Sequence, residues 1–459
     1  MKGRLTWIIF GILIVGFVII ESKGLLMPQP GDENVYFYMG SLLSKGVYPY
    51  RDFFYAHPPL HLLLLAAIFK LFGFNIVALK LLPIISILVT ALILFLIVRE
   101  KFGNLESIVA SVLFLFSYSV LFNSVFAFGI STATMLMVAG LYFYSVKKNN
   151  LFAGLFFGLA GLTRLLALIP FLIIAALLYL NDKKKIKKII YGFSITFIIA
   201  NILLIALFGN RYINDAYKYH FLKKHETAEN FKEYVNVVKL NWVLFGAALL
   251  SIFIKDKNKS NFFALISLIA VAFLIFLALS SRIFNFYFIV GFPFLAVLGG
   301  VSLSSLLKAI RARKMLIVTI VVLMAVFIWD TTANIAFLHS IAFKGFSRGN
   351  EIVSLIDARL NPEIQLFGDD STSPLIALMT KRSIIFNIVD TNPAVFKTGI
   401  IDLDDTLNKL KGNKFIFIIR SKQGISEFVE VRNFLDERCA HMSTFSDKSE
   451  GSYLVYDCK

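Results

Sequence analysis

Charged residues make up only 16% of this 459-residue chain, and its long apolar runs hold almost no acids. That argues against a transporter path, which would place ionisable groups at mid-membrane. Two cysteines, Cys439 and Cys458, are the whole supply, so no Cys-x-x-Cys or Cys/His zinc spacing exists. In an oxidising compartment the pair closes a disulfide, and in a reducing one it stays as two thiols. There is no GxGxxG or GxxxxGK loop, no Gly-x-Ser-x-Gly elbow and no His-Glu-x-x-His. These absences remove the dinucleotide, P-loop, serine-hydrolase and zinc-protease readings. Internal repeats and low-complexity tracts are also missing.

What is present is apolar. Hydrophobic residues reach 58%, with 48 phenylalanines, and the mean hydropathy is +0.76. A globular domain carries less, so the chain reads as a polytopic α-helical membrane protein. The net charge of +17 does not indicate nucleic acid. The basic residues gather in short turns between apolar runs (Arg99–Lys101, Lys147–Lys148, Lys183–Lys188, Lys255–Lys259, Lys308–Lys314), as cytoplasmic loops require. The start, Met1–Arg4 and then Leu5–Ile20, reads as an uncleaved signal-anchor with its N-terminus in the cytoplasm.

Apolar segments follow at Leu60–Phe72, Ile76–Val98, Leu105–Phe122, Ile130–Val146, Leu151–Leu162, Leu165–Leu180 and Ile189–Phe208. Four more are Trp242–Ile254, Phe262–Leu279, Ile283–Leu306 and Met315–Asp330. Measured against a span of ~20 residues they predict about 11–13 transmembrane helices. Residues 1–340 therefore read as a transmembrane domain. From residue 344 to 459 the pattern changes to short strands (Ile364–Phe367, Phe415–Ile419, Tyr453–Tyr456) alternating with helices (Pro374–Met379, Leu403–Leu410, Ser426–Leu435). That predicts a small α/β domain, extracytoplasmic by the same charge rule.

The densest chemistry lies in the first outer loop, residues 27–60. Asp32 and Glu33 open a short helical pattern, which Lys45 and Gly46 close. Pro49 and the pair Pro58–Pro59 then force extended backbone. Asp32 can N-cap that helix while Glu33 favours its dipole; equally, a carboxylate there can be a general base for a hydroxyl or amine. The two roles are compatible. Arg51, His57, Arg164 and Arg282, with Tyr287, stand near predicted outer ends of spans. Each cation either snorkels to headgroups or helps form an anion site for a phosphate. His220, His225, Glu226 and Glu229 in the Gly209–Lys239 loop lack metal-ligand spacing and read as part of an interfacial helix. The run Gly368–Pro374 (GDDSTSP) reads as a polar strand-to-helix turn.

One apolar segment, then DE-x-x-Y-x-x-x-x-x-x-L-x-x-G-x-x-P-Y-x-D-x-x-x-x-x-P-P-L, then a helix ending in Phe-Gly, resembles GT-C glycosyltransferases. Within them it is similar to prokaryotic relatives of dolichyl-phosphate-mannose–protein mannosyltransferases, a group that includes the lipid A aminoarabinose transferases. The match runs through Asp32, Glu33, Tyr36, Leu43, Gly46, Pro49, Tyr50, Asp52, Pro58, Pro59 and Leu60 to Phe72 and Gly73. Gly154–Arg164 and Arg282–Pro293 resemble the family more loosely. The resemblance implies an inverting transfer of one sugar from a polyprenyl (dolichyl-type) phosphate carrier to a hydroxyl or amine acceptor at the outer membrane face. Asp32 then matches the catalytic base, and Glu33 the second acid. His57 stands where many members have a lysine near the carrier phosphate, and Ala56 lacks an acid found in some relatives. No nucleotide sugar, nucleic acid or cofactor is implied, and no residue cluster demands a divalent metal. The competing classes are a lipid-linked glycan flippase and a polymerase or ligase with a lipid-diphosphate donor.

Overall fold

The structure, a computed structural model, describes residues 3–224, 227–253, 261–341, 343, 345–359, 361, 363–421, 423–447 and 451–459. His225, Glu226 and the basic turn Lys255–Lys259 lie outside them. The protein is a multi-pass α-helical membrane protein with a small sheet near its C-terminus. Among the described residues, six helices are long and apolar enough to cross a membrane: Gly3–Leu25, Ile76–Lys101, Lys183–Phe208, Asn261–Leu279, Phe292–Ala309 and Arg313–Ser340. Thr227–Leu240 and Trp242–Ile252, bent by 83°, form a seventh if taken as one span. Five more apolar helices are shorter.

Among the described residues, helices of full spanning length are thus fewer than the apolar runs, because some runs are broken and others, such as Leu60–Phe72, are short. Leu105–Phe122 divides at Ser117, whose extended backbone (φ −66°, ψ 140°) separates Asn104–Leu115 from Tyr118–Asn123. Ile283–Leu306 begins with a 3-10 turn, Asn285–Val290, before Pro293 starts the helix Phe292–Ala309. Proline suits that first helical turn, where its missing N–H costs nothing.

The chain divides into two compact units. The first comprises Met1–Leu25, Lys80–Ile202 and Lys224–Ala342. Its helices meet closely where side chains vanish. A Cβ on Gly154 would lie 2.0 Å from the Ile189 carbonyl oxygen, and one on Gly192 would lie 2.1 Å from that of Leu151. Helices Asn150–Thr163 and Lys183–Phe193 therefore pack backbone to backbone, the membrane use of small residues. Glu106, buried, pairs with Lys308 and ties Asn104–Leu115 to Phe292–Ala309.

The second unit gathers Leu26–Leu79, Leu203–Lys223 and Phe343–Lys459. Its sheet has strands β1 (Gln365–Gly368), β2 (Phe415–Arg420), β3 (Cys439–Asp447) and β4 (Gly451–Cys458) in the order β1-β2-β4-β3. β1 and β2 are parallel, and β4 runs antiparallel to both β2 and β3. Phe367, Phe417, Leu407, Leu410 and Phe434 fill the core beneath the sheet. Cys439 and Cys458, opposite each other in register, form a disulfide.

Gly154→Ala should destabilise the protein by about 1–3 kcal/mol, since the added methyl meets backbone and cannot be relieved by a rotamer change. A lower thermal-unfolding midpoint in detergent is expected. An unchanged midpoint would mean that the two helices part at no cost.

Candidate functional site

The loop that holds the acids is built in the second unit. Asp32 precedes helix Glu33–Ser44, but its backbone is itself helical (φ −58°, ψ −20°) and its carboxylate makes no capping hydrogen bond. A capping side chain needs extended backbone to fold back onto the first N–H groups, so the capping role read from sequence does not hold. Asp32 is exposed, whereas Glu33 beside it is fully buried. Both lie at the positive end of the helix dipole.

The loop Gly368–Ser373 fixes this helix start. The Ser371 carbonyl accepts from Gly31 N–H (3.2 Å) and from Asn34 Nδ2 (2.8 Å), and Asn34 Nδ2 also donates to the Gln29 carbonyl (2.8 Å). Further along the helix, Tyr38 Oη accepts from Ile384 N–H at 2.7 Å. The run GDDSTSP is the strand-to-helix turn expected, between β1 and Ser373–Thr380. Gly368 allows it: at φ 142°, a Cβ there would sit 1.8 Å from the Ile418 carbonyl oxygen.

This turn also brings acids to Asp32. Burial, and then the charges of Asp369, Asp32 and Asp390, push the Asp370 carboxyl well above its ordinary range. Asp390 is pushed up to about 6, chiefly by burial; Asp32 adds to the rise, while the Asn392 N–H and Lys223 oppose it. Burial also raises Asp369, although Ser371 N–H and Oγ donate to it. Like charges that crowd one place favour protons on some of them. Among the described residues, no group of three or more His, Cys, Asp or Glu is arranged to hold a metal ion.

Tyr50 anchors the rest of the loop. It occupies the left-handed region (φ 63°), unusual for an aromatic residue. Its N–H donates to the Phe53 carbonyl, its ring is buried against Tyr212, and its hydroxyl donates to the His57 carbonyl. Such backbone persists only where neighbours fix it. His57 is half-buried, with Nε2 3.3 Å from the Tyr36 hydroxyl. Arg51 is exposed and turned onto Asp52 by two hydrogen bonds (3.0 and 2.8 Å). Arg51 and the Tyr48 N–H hold Asp52 below the usual carboxylate range. Asp52 in turn answers much of the charge that Arg51 would offer a phosphate.

The remaining candidates belong to the first unit. Arg164 is buried at the break after Asn150–Thr163 and donates to the Phe128 carbonyl. The Phe128 ring meets Phe286, which meets Tyr287 edge-on at 4.9 Å, while the Arg282 guanidinium lies 5.2 Å from the centre of the Phe284 ring. Phe284, against which Arg282 lies, also meets Phe286 and Tyr287, while Arg164 reaches the main chain of Phe128. Asn230 holds the turn that carries Arg282: its Nδ2 donates to the Ser280 and Ser281 carbonyls, and its Oδ1 accepts from Ile283 N–H. Sequence reading overlooked Asn34, Ser371, Asp370, Asp390 and Asn230. The Asp-Asp pair after a strand was the one local signal among them.

Residues 56–208 match the family model for dolichyl-phosphate-mannose-protein mannosyltransferase. No curated sequence matches the chain significantly. Among solved structures, ArnT from Cupriavidus metallidurans bound to undecaprenyl phosphate is 13% identical and superposes with a TM-score of 0.71, covering 100% of this chain and 98% of that one. Its apo form gives 0.72 at 13% identity, over 99% and 98%. The archaeal oligosaccharyltransferase AglB from Archaeoglobus fulgidus, in complex with an inhibitory peptide and a dolichol-phosphate, gives 0.57 at 12% identity, over 99% and 74%.

Protonation of the acid cluster sets a pH prediction. A carboxyl that holds its proton more tightly folded than unfolded contributes stability below its unfolded pKa, and loses it as pH rises through the folded value. For Asp390 that window runs from the ordinary aspartate value of 3.8 to about 6. Asp390→Asn should flatten the fall in thermal stability across this window. An unaltered pH–stability curve would show that Asp390 titrates as it does in the unfolded chain.

Proposed function

Because this chain has the GT-C fold, we propose that it is a membrane glycosyltransferase that moves one sugar from a polyprenyl-phosphate carrier to a hydroxyl or amine acceptor. The observation that carries this reading is Asp32: an exposed carboxylate at a helix N-terminus, not used as a cap, within the motif that resembles the family's catalytic loop. The lipid phosphates bound to ArnT and AglB support the donor class.

In the reaction, the acceptor oxygen or nitrogen attacks the anomeric carbon as its proton passes to Asp32. The bond from that carbon to the phosphate oxygen breaks, and its electron pair leaves with the polyprenyl phosphate. A single displacement inverts the anomeric centre. The leaving group is already an anion, so it needs cations rather than a second acid. Glu33, being buried beside Asp32, does not meet the acceptor. For the carrier phosphate we assign His57, which the loop itself carries. Arg51 contributes less, with its guanidinium committed to Asp52. Apolar helices keep the polyprenyl tail among membrane lipids while the headgroup reacts. The disulfide supports an extracytoplasmic tail, since such bonds persist in oxidising compartments, and we place the reaction on that outer face.

The test is transfer in proteoliposomes from a panel of polyprenyl-phosphate sugars, with hydroxyl and amine acceptors, comparing wild type, Asp32→Asn and Glu33→Gln. Asp32→Asn should lose about 100-fold or more of the rate while eluting as a folded protein. Equal rates for wild type and Asp32→Asn would remove Asp32 as the base. Transfer only from lipid-diphosphate donors would make the protein a polymerase or ligase, and lipid translocation without transfer would make it a flippase.

A further inference from the structure

The segment Leu203–Lys223 carries polar side chains that the reaction above does not use. Three of them reach the main chain of one short stretch. Arg211 Nη1 donates to the Arg51 carbonyl at 2.7 Å. The Asp215 carboxyl accepts from Tyr55 N–H. His220 Nε2 lies 2.6 Å from the Ala56 carbonyl oxygen. The need is set by sequence: with Pro58 and Pro59 next in line, residues 54–57 cannot join a helix or a ladder, so their backbone groups require partners from elsewhere.

His220 does more than satisfy a carbonyl. That oxygen can only accept, so the His220 Nε2 carries the proton and its ring orientation is fixed. In that orientation the ring stacks on His57, with centroids 5.1 Å apart and planes 26° from parallel. Tyr36 and Tyr55 meet the same His57 ring edgewise or at a tilt, at 6.1 and 5.9 Å. His57 is thus held by its neighbours' rings and by the hydroxyl of Tyr50 on its own carbonyl.

We infer that His220 is the positioning residue for His57, fixing that imidazole in the pose in which it receives the phosphodiester of the donor. The inference rests on the function proposed above for the role of the phosphate, but not for the contact itself. Two readouts separate them. The first is the rate at which diethyl pyrocarbonate modifies His57 in the full-length protein, read by mass spectrometry. The second is the donor KM and kcat in proteoliposomes. His220→Ala, which leaves the Ala56 carbonyl unsatisfied, should speed His57 modification several-fold and raise donor KM about tenfold with little change in kcat. His220→Gln, which keeps a donor at the same place, should recover most of both. The double variant with His57→Gln should be no worse than His57→Gln alone, because His220 acts through His57.

Unchanged His57 modification in a folded His220→Ala protein overturns the inference, whatever the activity. So does a double variant whose losses multiply. Faster modification without any transfer from a polyprenyl-phosphate donor would leave the positioning contact standing and overturn the proposed function instead.

Discussion

The surroundings of Asp32 depend on main-chain groups of the first loop, few of which pair among themselves. Between Pro49 and Pro59 the loop has no helix or strand, only the short bridge in which Tyr50 N–H donates to the Phe53 carbonyl. A buried polar group without a partner costs as much as a broken hydrogen bond. Tyr50, Arg211, Asp215 and His220 supply the missing partners. At the helix start one carbonyl, that of Ser371, takes both Gly31 and Asn34. Segments far apart in sequence are therefore bound to the loop by necessity, and they share one compact unit with it.

The same closeness crowds negative charge. Asp32 faces outward, while Asp369 and Asp370 are buried behind it and Asp390 is half-buried. With burial as the main cause, the protons of these inner acids are held more tightly than usual. Asp32 keeps its access to water, which suits the base role proposed for it. A base needs both ionisation and reach, and only Asp32 in this cluster is exposed.

Local signals were readable in the sequence and long-range ones were not. The strands Gln365–Gly368, Phe415–Arg420 and Gly451–Cys458 announced themselves as apolar or aromatic runs, and the helix Leu403–Leu410 matches its predicted bounds. Strand Cys439–Asp447 escaped because it is an edge, largely exposed and rich in small polar residues, with no apolar alternation to betray it. The Ser117 break was hidden for the opposite reason: one small polar residue in a long apolar run barely changes its hydropathy. The contact of Asn34 with Ser371 spans 337 positions, and no local pattern encodes it. Asp32 was found from its motif, yet whether it capped the helix turned on a backbone angle that sequence does not specify.

On the proposed function, His57 shows how a departure from the motif that the loop resembles is absorbed physically. A lysine at that position would reach a phosphate on a flexible stem as a mobile point charge. An imidazole is shorter and planar, so it must be delivered to its target by the backbone and held there by its faces. The surroundings have the form this requires. Tyr50 bears on the carbonyl of His57, Tyr36 on its ring nitrogen, and His220 on its face. The substitution of a short ring for a long amine thus shifts the burden of reach from one side chain to the segment packed against it. His220 belongs to the same chemical solution as His57, although 163 residues separate them in the chain.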